Sequence, residues 1–126
     1  MKLSEIVKKY ACTVYTQDSY DPDKEIRFAF CSDLMSDALM IMSTVKESGV
    51  LERSVLITGL TTNQSIRTAE MLDVEVVLFV RGKTPADPVI GLAKESGVTL
   101  LGTELTMFNV SGLMYQEGIK GIFSKK

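Results

Sequence analysis

Apolar and polar positions change along this chain in blocks that predict strand and helix in turn. Val55-Leu56-Ile57-Thr58-Gly59 is an apolar run that stops at a glycine, the pattern of a strand buried on both faces. The polar stretch Leu60-Thr61-Thr62-Asn63 reads as a loop, and the next helix is expected to bury Ile66, Ala69, Met71 and Leu72, with Asn63 or Ser65 as its cap. Val74 to Val80 is a second strand run ending at Arg81-Gly82. A Pro-led helix follows, capped by Thr84 or Asp87, with Val89, Ile90, Leu92 and Ala93 on its apolar side and Gly97 at its end. Thr99-Leu100-Leu101 is a short strand before Gly102-Thr103, and the last helix starts at about Thr106. Strand and helix in alternation predict an α/β fold: a compact layered structure with a mostly parallel sheet flanked by helices. In such sheets ligands sit beyond the carboxyl ends of the strands.

The N-terminal part is less regular. Leu3, Ile6, Val7 and Tyr10 share one side of a short helix, and Cys12 to Tyr15 reads as a strand. Thr16 to Lys24 is rich in acids and turn formers and predicts an exposed loop; its acids lack the spacing and glycine of a calcium loop. Ile26 to Cys31 predicts a strand paired with Cys12 to Tyr15. It leads into a helix capped by Ser32, with Asp33 in the first turn, running to about Lys46 and terminated by Gly49. Leu34, Met35, Ala38, Leu39, Ile41, Met42 and Val45 leave that helix little polar surface. A second buried side is therefore expected, and Leu34, Met35, Leu39 and Met42 are the candidate contact of a homodimer. Met35, Met40 and Met42 as a soft ligand groove are the alternative. The tail presents Ile119, Ile122 and Phe123 for apolar cover.

Composition narrows the function. At 126 residues the chain predicts a single domain spanning 1–126. Its net charge is −2 with the signs interspersed, which argues against nucleic acid. No apolar run has the length of a membrane span, and the charged N-terminal stretch lacks a leader's apolar centre, so a cytoplasmic location is expected. Cys12 and Cys31 lie in apolar runs and read as reduced structural residues. The absence of histidine excludes any Ser–His or Cys–His nucleophile and removes the commonest zinc ligand. No metal site and no cofactor are predicted.

The runs Phe28-Ala29-Phe30-Cys31-Ser32-Asp33-Leu34-Met35-Ser36-Asp37, Leu56-Ile57-Thr58-Gly59, and Gly97 to Thr103 with Thr106-Met107-Phe108 resemble the DRTGG domain. The resemblance covers roughly residues 2–116. It implies a fold similar to the N-terminal domain of HPr kinase/phosphorylase and of certain Mur ligases. It also implies a regulatory, often dimeric role with no chemistry of its own. Such domains occur beside CBS domains in regulated pyrophosphatases, in some phosphotransacetylases, or alone near iron-only hydrogenase subunits. The name-giving residues are partly replaced here. Thr61 to Asn63 stand where the family has an Asp-Arg pair, and Arg81-Gly82-Lys83 stands in place of Thr-Gly-Gly.

Candidate chemistry clusters at the strand ends. Gly59, Thr61 and Asn63 precede a helix whose amides can hold an anion, or form a plain capped turn. Arg81 beside Gly82 can hold a phosphate or carboxylate bidentately, or a surface ion pair. Ser32 and Asp33 end the strand before, and Thr103 and Thr106 end the strand after; helix capping accounts for all four without a ligand. Gly82-Lys83-Thr84 matches the end of a P-loop, but Val77 stands where its first glycine belongs. The sequence thus predicts a non-enzymatic regulatory module, homodimeric, that senses a small anionic metabolite or nucleotide. The alternatives are a docking subunit of a larger enzyme, such as a hydrogenase system, and an enzyme of phosphoryl or acyl transfer using Asp33 with Arg81.

Overall fold

The structure, a computed structural model, describes residues 1–122. Its elements are α1 (Leu3–Lys9), β1 (Thr13–Val14), β2 (Phe28–Cys31), α2 (Met35–Met42), β3 (Ser54–Thr58), α3 (Asn63–Leu72), β4 (Val76–Phe79), α4 (Asp87–Ser96), β5 (Thr99–Gly102), α5 (Met107–Gln116) and β6 (Lys120–Gly121). Six strands form one sheet in the order β1-β5-β4-β3-β2-β6. All neighbours are parallel except the edge pair β1–β5.

The period-2 alternation of a strand sorts the core into two halves. Leu56, Val77, Phe79 and Leu100 face one side, where Met35, Ala38 and Met42 of α2, Ile66, Ala69 and Leu72 of α3, and Val89 and Ala93 of α4 cover them. Val55, Ile57, Val76, Leu78 and Leu101 face the other side, under Leu3 and Ile6 of α1 and Val110 and Met114 of α5. The central strands are buried throughout, which explains their continuous apolar runs.

From β2 to β5 each strand lies next to its predecessor, and α2, α3 and α4 all pack on one face. After β5 the chain reverses: α5 packs on the opposite face and delivers β6 beside β2. Crossovers between parallel strands keep one hand, so advancing in one direction places helices on one face and returning places them on the other.

Several expected local features take a different form. The strand at 28–31 pairs with β3 and β6, while β1 pairs with β5 at the far edge. Ser32 does not cap α2. Leu34 holds the N-cap position, and Ser32 forms a tight turn in which its Oγ accepts from the Leu34 N–H at 2.9 Å. The same helix stops at Met42 rather than Lys46, where the Ser43 and Thr44 hydroxyls donate back to the carbonyls of Met40 and Ile41. Such local bonds compete with helix propagation. Gly49, at φ +85°, turns the chain later and does not cap the helix. Thr62 and Ala86, rather than Asn63 or Ser65 and Thr84 or Asp87, precede α3 and α4, with Pro88 in the first turn of α4. Gly97 does close α4 in the left-handed conformation. Met71 points to solvent at 72% exposure instead of packing on the sheet.

Met35 and Met42 are buried in the chain's own core, so they offer no surface to a second copy. Leu39 is partly buried, and Leu34 is the exposed member of that proposed contact. Ile119 is buried, Ile122 packs partly against the core, and Phe123 lies outside the described residues. No helix among the described residues is long and apolar enough to cross a membrane.

Candidate functional site

The carboxyl ends of β2, β3 and β4 bring Asp33, Gly59 and Arg81 together. Asp33 follows β2, and its Oδ1 accepts the Gly59 N–H at 2.6 Å and lies 3.5 Å from the Thr58 hydroxyl. A Cβ on Gly59 would stand 2.7 Å from Arg81 Nη2 and 3.0 Å from Asp33 Oδ1. Glycine at the end of β3 is therefore what lets the guanidinium lie against the backbone. From the other side Lys83 Nζ donates to the Gly59 carbonyl at 3.0 Å.

Arg81 reaches this place through an unusual turn. Arg81 and Gly82 both have positive φ, +65° and +66°, and the Lys83 N–H bonds the Val80 carbonyl at 3.4 Å. Two successive positive φ values are those of a type I′ turn. Glycine tolerates this conformation freely, whereas it costs an arginine of order 1 kcal/mol. The loop after β5 holds the turn in place: the Arg81 N–H donates to Leu105 and the Gly82 N–H to Thr103, both at 2.9 Å. A Cβ on Gly82 would overlap the Glu104 carboxylate.

The remaining sequence candidates take different positions. Thr61 and Asn63 stand at the entry to α3, whose first turn has no side-chain cap; the Ser65 hydroxyl donates instead to the Leu60 carbonyl at 2.5 Å. Thr103 is buried and its hydroxyl is engaged, donating to the Tyr10 carbonyl at 2.8 Å and accepting from the Leu105 N–H at 3.3 Å. Thr106 precedes α5 at the surface, and Ser32 is occupied by its own turn.

On the far side of the Arg81–Lys83 turn is a cavity of about 240 Å³ between the ends of β4 and β5, bordered by Thr13 and Tyr15 of the β1 segment. Sequence reading did not foresee it. Its walls come from residues some seventy to ninety positions apart, and only the antiparallel docking of β1 on β5 joins them.

Titration adds little nucleophilic character elsewhere. Burial pushes the Cys12 thiol up to about 11 and raises that of Cys31, against which the Ser111 hydroxyl, 3.0 Å away, acts in the opposite sense. Both cysteines are free, and both are held in the unreactive thiol form at neutral pH. No cluster of three metal-ligating side chains occurs among the described residues. The site therefore offers two cations and a carboxylate tied to a backbone amide. Such a set of side chains can hold an anion.

No family model and no curated protein matches the sequence. Among solved structures, the chain is similar to the crystal structure of the CBS and DRTGG domains of the regulatory region of Clostridium perfringens pyrophosphatase, complexed with the activator diadenosine tetraphosphate. The TM-score is 0.65 at 18% identity, over 99% of this chain and 51% of that one. The chain thus spans about half the length of that regulatory region. The likeness is one of fold: it supports a DRTGG-like α/β architecture, here a six-stranded, mostly parallel sheet flanked by helices.

Proposed function

We propose that this protein is a non-enzymatic regulatory module that senses a small anionic metabolite or nucleotide at the carboxyl ends of β3 and β4. One observation carries the reading. Arg81 and Lys83 converge on Gly59 from two directions, and among the described residues neither lies within ion-pairing distance of a carboxylate. The left-handed backbone at Arg81 adds weight, because strain of this kind is kept where a side chain must be aimed. The fold likeness to a regulatory region crystallised with a nucleotide activator points the same way.

Thermal melting against pyrophosphate, ADP, ATP, GTP and acetyl phosphate tests this. A ligand at a hundred times its dissociation constant adds about 2.7 kcal/mol of stability, a shift of several degrees in a domain of this size. The expected result is such a shift for at least one phosphate compound, lost in Arg81→Ala. A flat panel overturns the reading.

A docking subunit is the second reading, and α5 favours it. Phe108 and Tyr115, 85% and 75% exposed, flank an apolar groove of about 330 Å³ that reaches Ala29, Cys31 and Ile119. Exposed aromatics around an apolar groove are the usual anchors of a protein partner. Self-association belongs to the proposal too, and Leu34 just before α2 and Met40 within it are the exposed large apolar side chains there. Sedimentation of the wild type against Phe108→Ser and Leu34→Ser distinguishes the two faces.

A further inference from the structure

The chain topology marks one crevice above the others. The connection leaving β4 runs to α4 on one face of the sheet, and the connection leaving β5 runs to α5 on the opposite face. Adjacent strands whose connections diverge in this way open a gap between their carboxyl ends, where open α/β sheets bind ligands. The 240 Å³ cavity lies in that gap.

Its lining differs in character from the Gly59 side of the turn. Arg81 and Lys83 supply positive charge beside Gly59. Across Gly82 the cavity is lined by Tyr15, Thr13, Thr84 and Glu104, whose carboxylate lies against Gly82. The Tyr15 ring lies directly over Gly102, where a Cβ would come within 2.9 Å of Cε2. Glu104 disfavours a second anion here, while an aromatic ring with hydroxyl and carboxylate acceptors suits a neutral heterocycle with N–H and O–H donors. Lys83 borders both compartments.

We propose that the switch-point cavity walled by Tyr15, Thr13, Thr84 and Glu104 is a nucleoside subsite. The ligand is then a nucleoside phosphate whose base and sugar occupy this cavity and whose phosphates lie along Lys83 to Arg81. This rests on the anion-sensing reading above and adds the half of the ligand that the two cations cannot select.

Calorimetric titration of the full chain with ADP and with inorganic pyrophosphate tests it. ADP is expected to bind at least about tenfold more tightly than pyrophosphate, as base stacking on an aromatic side chain provides. Tyr15→Leu is expected to reduce ADP to the pyrophosphate level and leave pyrophosphate unchanged. Thr13→Trp, at an exposed position on the cavity rim, is expected to do the same by filling it, and guards against a folding defect in the Tyr15 variant. Equal affinity for the two ligands, or ADP binding indifferent to both substitutions, overturns the nucleoside subsite while leaving the anion site in place. Binding of neither ligand overturns both.

Discussion

Asp33 Oδ1 accepts the backbone N–H of Gly59 at 2.6 Å, joining the end of β2 to the end of β3 across the mouth of the candidate site. A carboxylate on a backbone amide is a charge-assisted bond, and this one also fixes the loop that leads into α2. Asp33→Ala leaves that amide without its acceptor. The substitution is expected to cost about 1–3 kcal/mol, seen as a lower urea midpoint with an unchanged slope.

Gly59→Ala separates binding from stability. The atoms that its Cβ would meet, Arg81 Nη2 at 2.7 Å and Asp33 Oδ1 at 3.0 Å, are ends of side chains that can move aside. The stability loss is expected to stay near about 1 kcal/mol, as for mild overpacking. Displacing the guanidinium is expected to weaken anion binding by about tenfold or more, equivalent to about 1.4 kcal/mol. Melting and calorimetric titration of the same preparation check both.

At Arg81 the proposed anion binding opposes stability. Its φ of +65° suits glycine, so Arg81→Gly is expected to be more stable than Arg81→Ala by about 1 kcal/mol. Both variants are expected to lose anion binding equally. Equal melting temperatures for the two would show that the backbone there carries no strain.

Cys12 sets an alkaline limit. Burial raises its thiol from 9.0 to about 11, so between these values the unfolded chain releases a proton that the folded chain retains. The stability associated with the neutral thiol is complete below pH 9 and is lost as pH rises toward 11. The loss is at most about 2 kcal/mol, reduced by the partial exposure of the group. Urea denaturation at pH 8 and pH 10.5 is expected to show it in the wild type and less of it in Cys12→Ala. Iodoacetamide is expected to modify the folded protein slowly at pH 8.

Much of this fold is legible in the amino-acid order because its signals are local. The apolar runs at 55–58 and 76–79, the glycine closing α4, and the loop–helix alternation all follow from burial and backbone preference within a few residues. Local signals also marked Gly59 and Arg81-Gly82 as strand ends, where an α/β sheet places ligands. They misjudged α2, where two hydroxyl residues after Met42 divert backbone bonds and shorten the helix. They also assigned Met35 and Met42 to a partner, because helical spacing alone does not say which apolar side meets the chain's own sheet.

The sequence by itself determined the α/β class, the strand ends and the lack of a histidine-based catalytic set. Only the tertiary structure decided that β1 docks beside β5 rather than β2, and that Asp33 and Lys83 both grip Gly59. It alone brought Tyr15 to Gly102, opening a cavity where the connections diverge. Hydrophobic periodicity fixes which residues are buried and on what local element. Strand order depends on the free energy of packing all helices on both faces at once, and no short stretch of the chain encodes that sum.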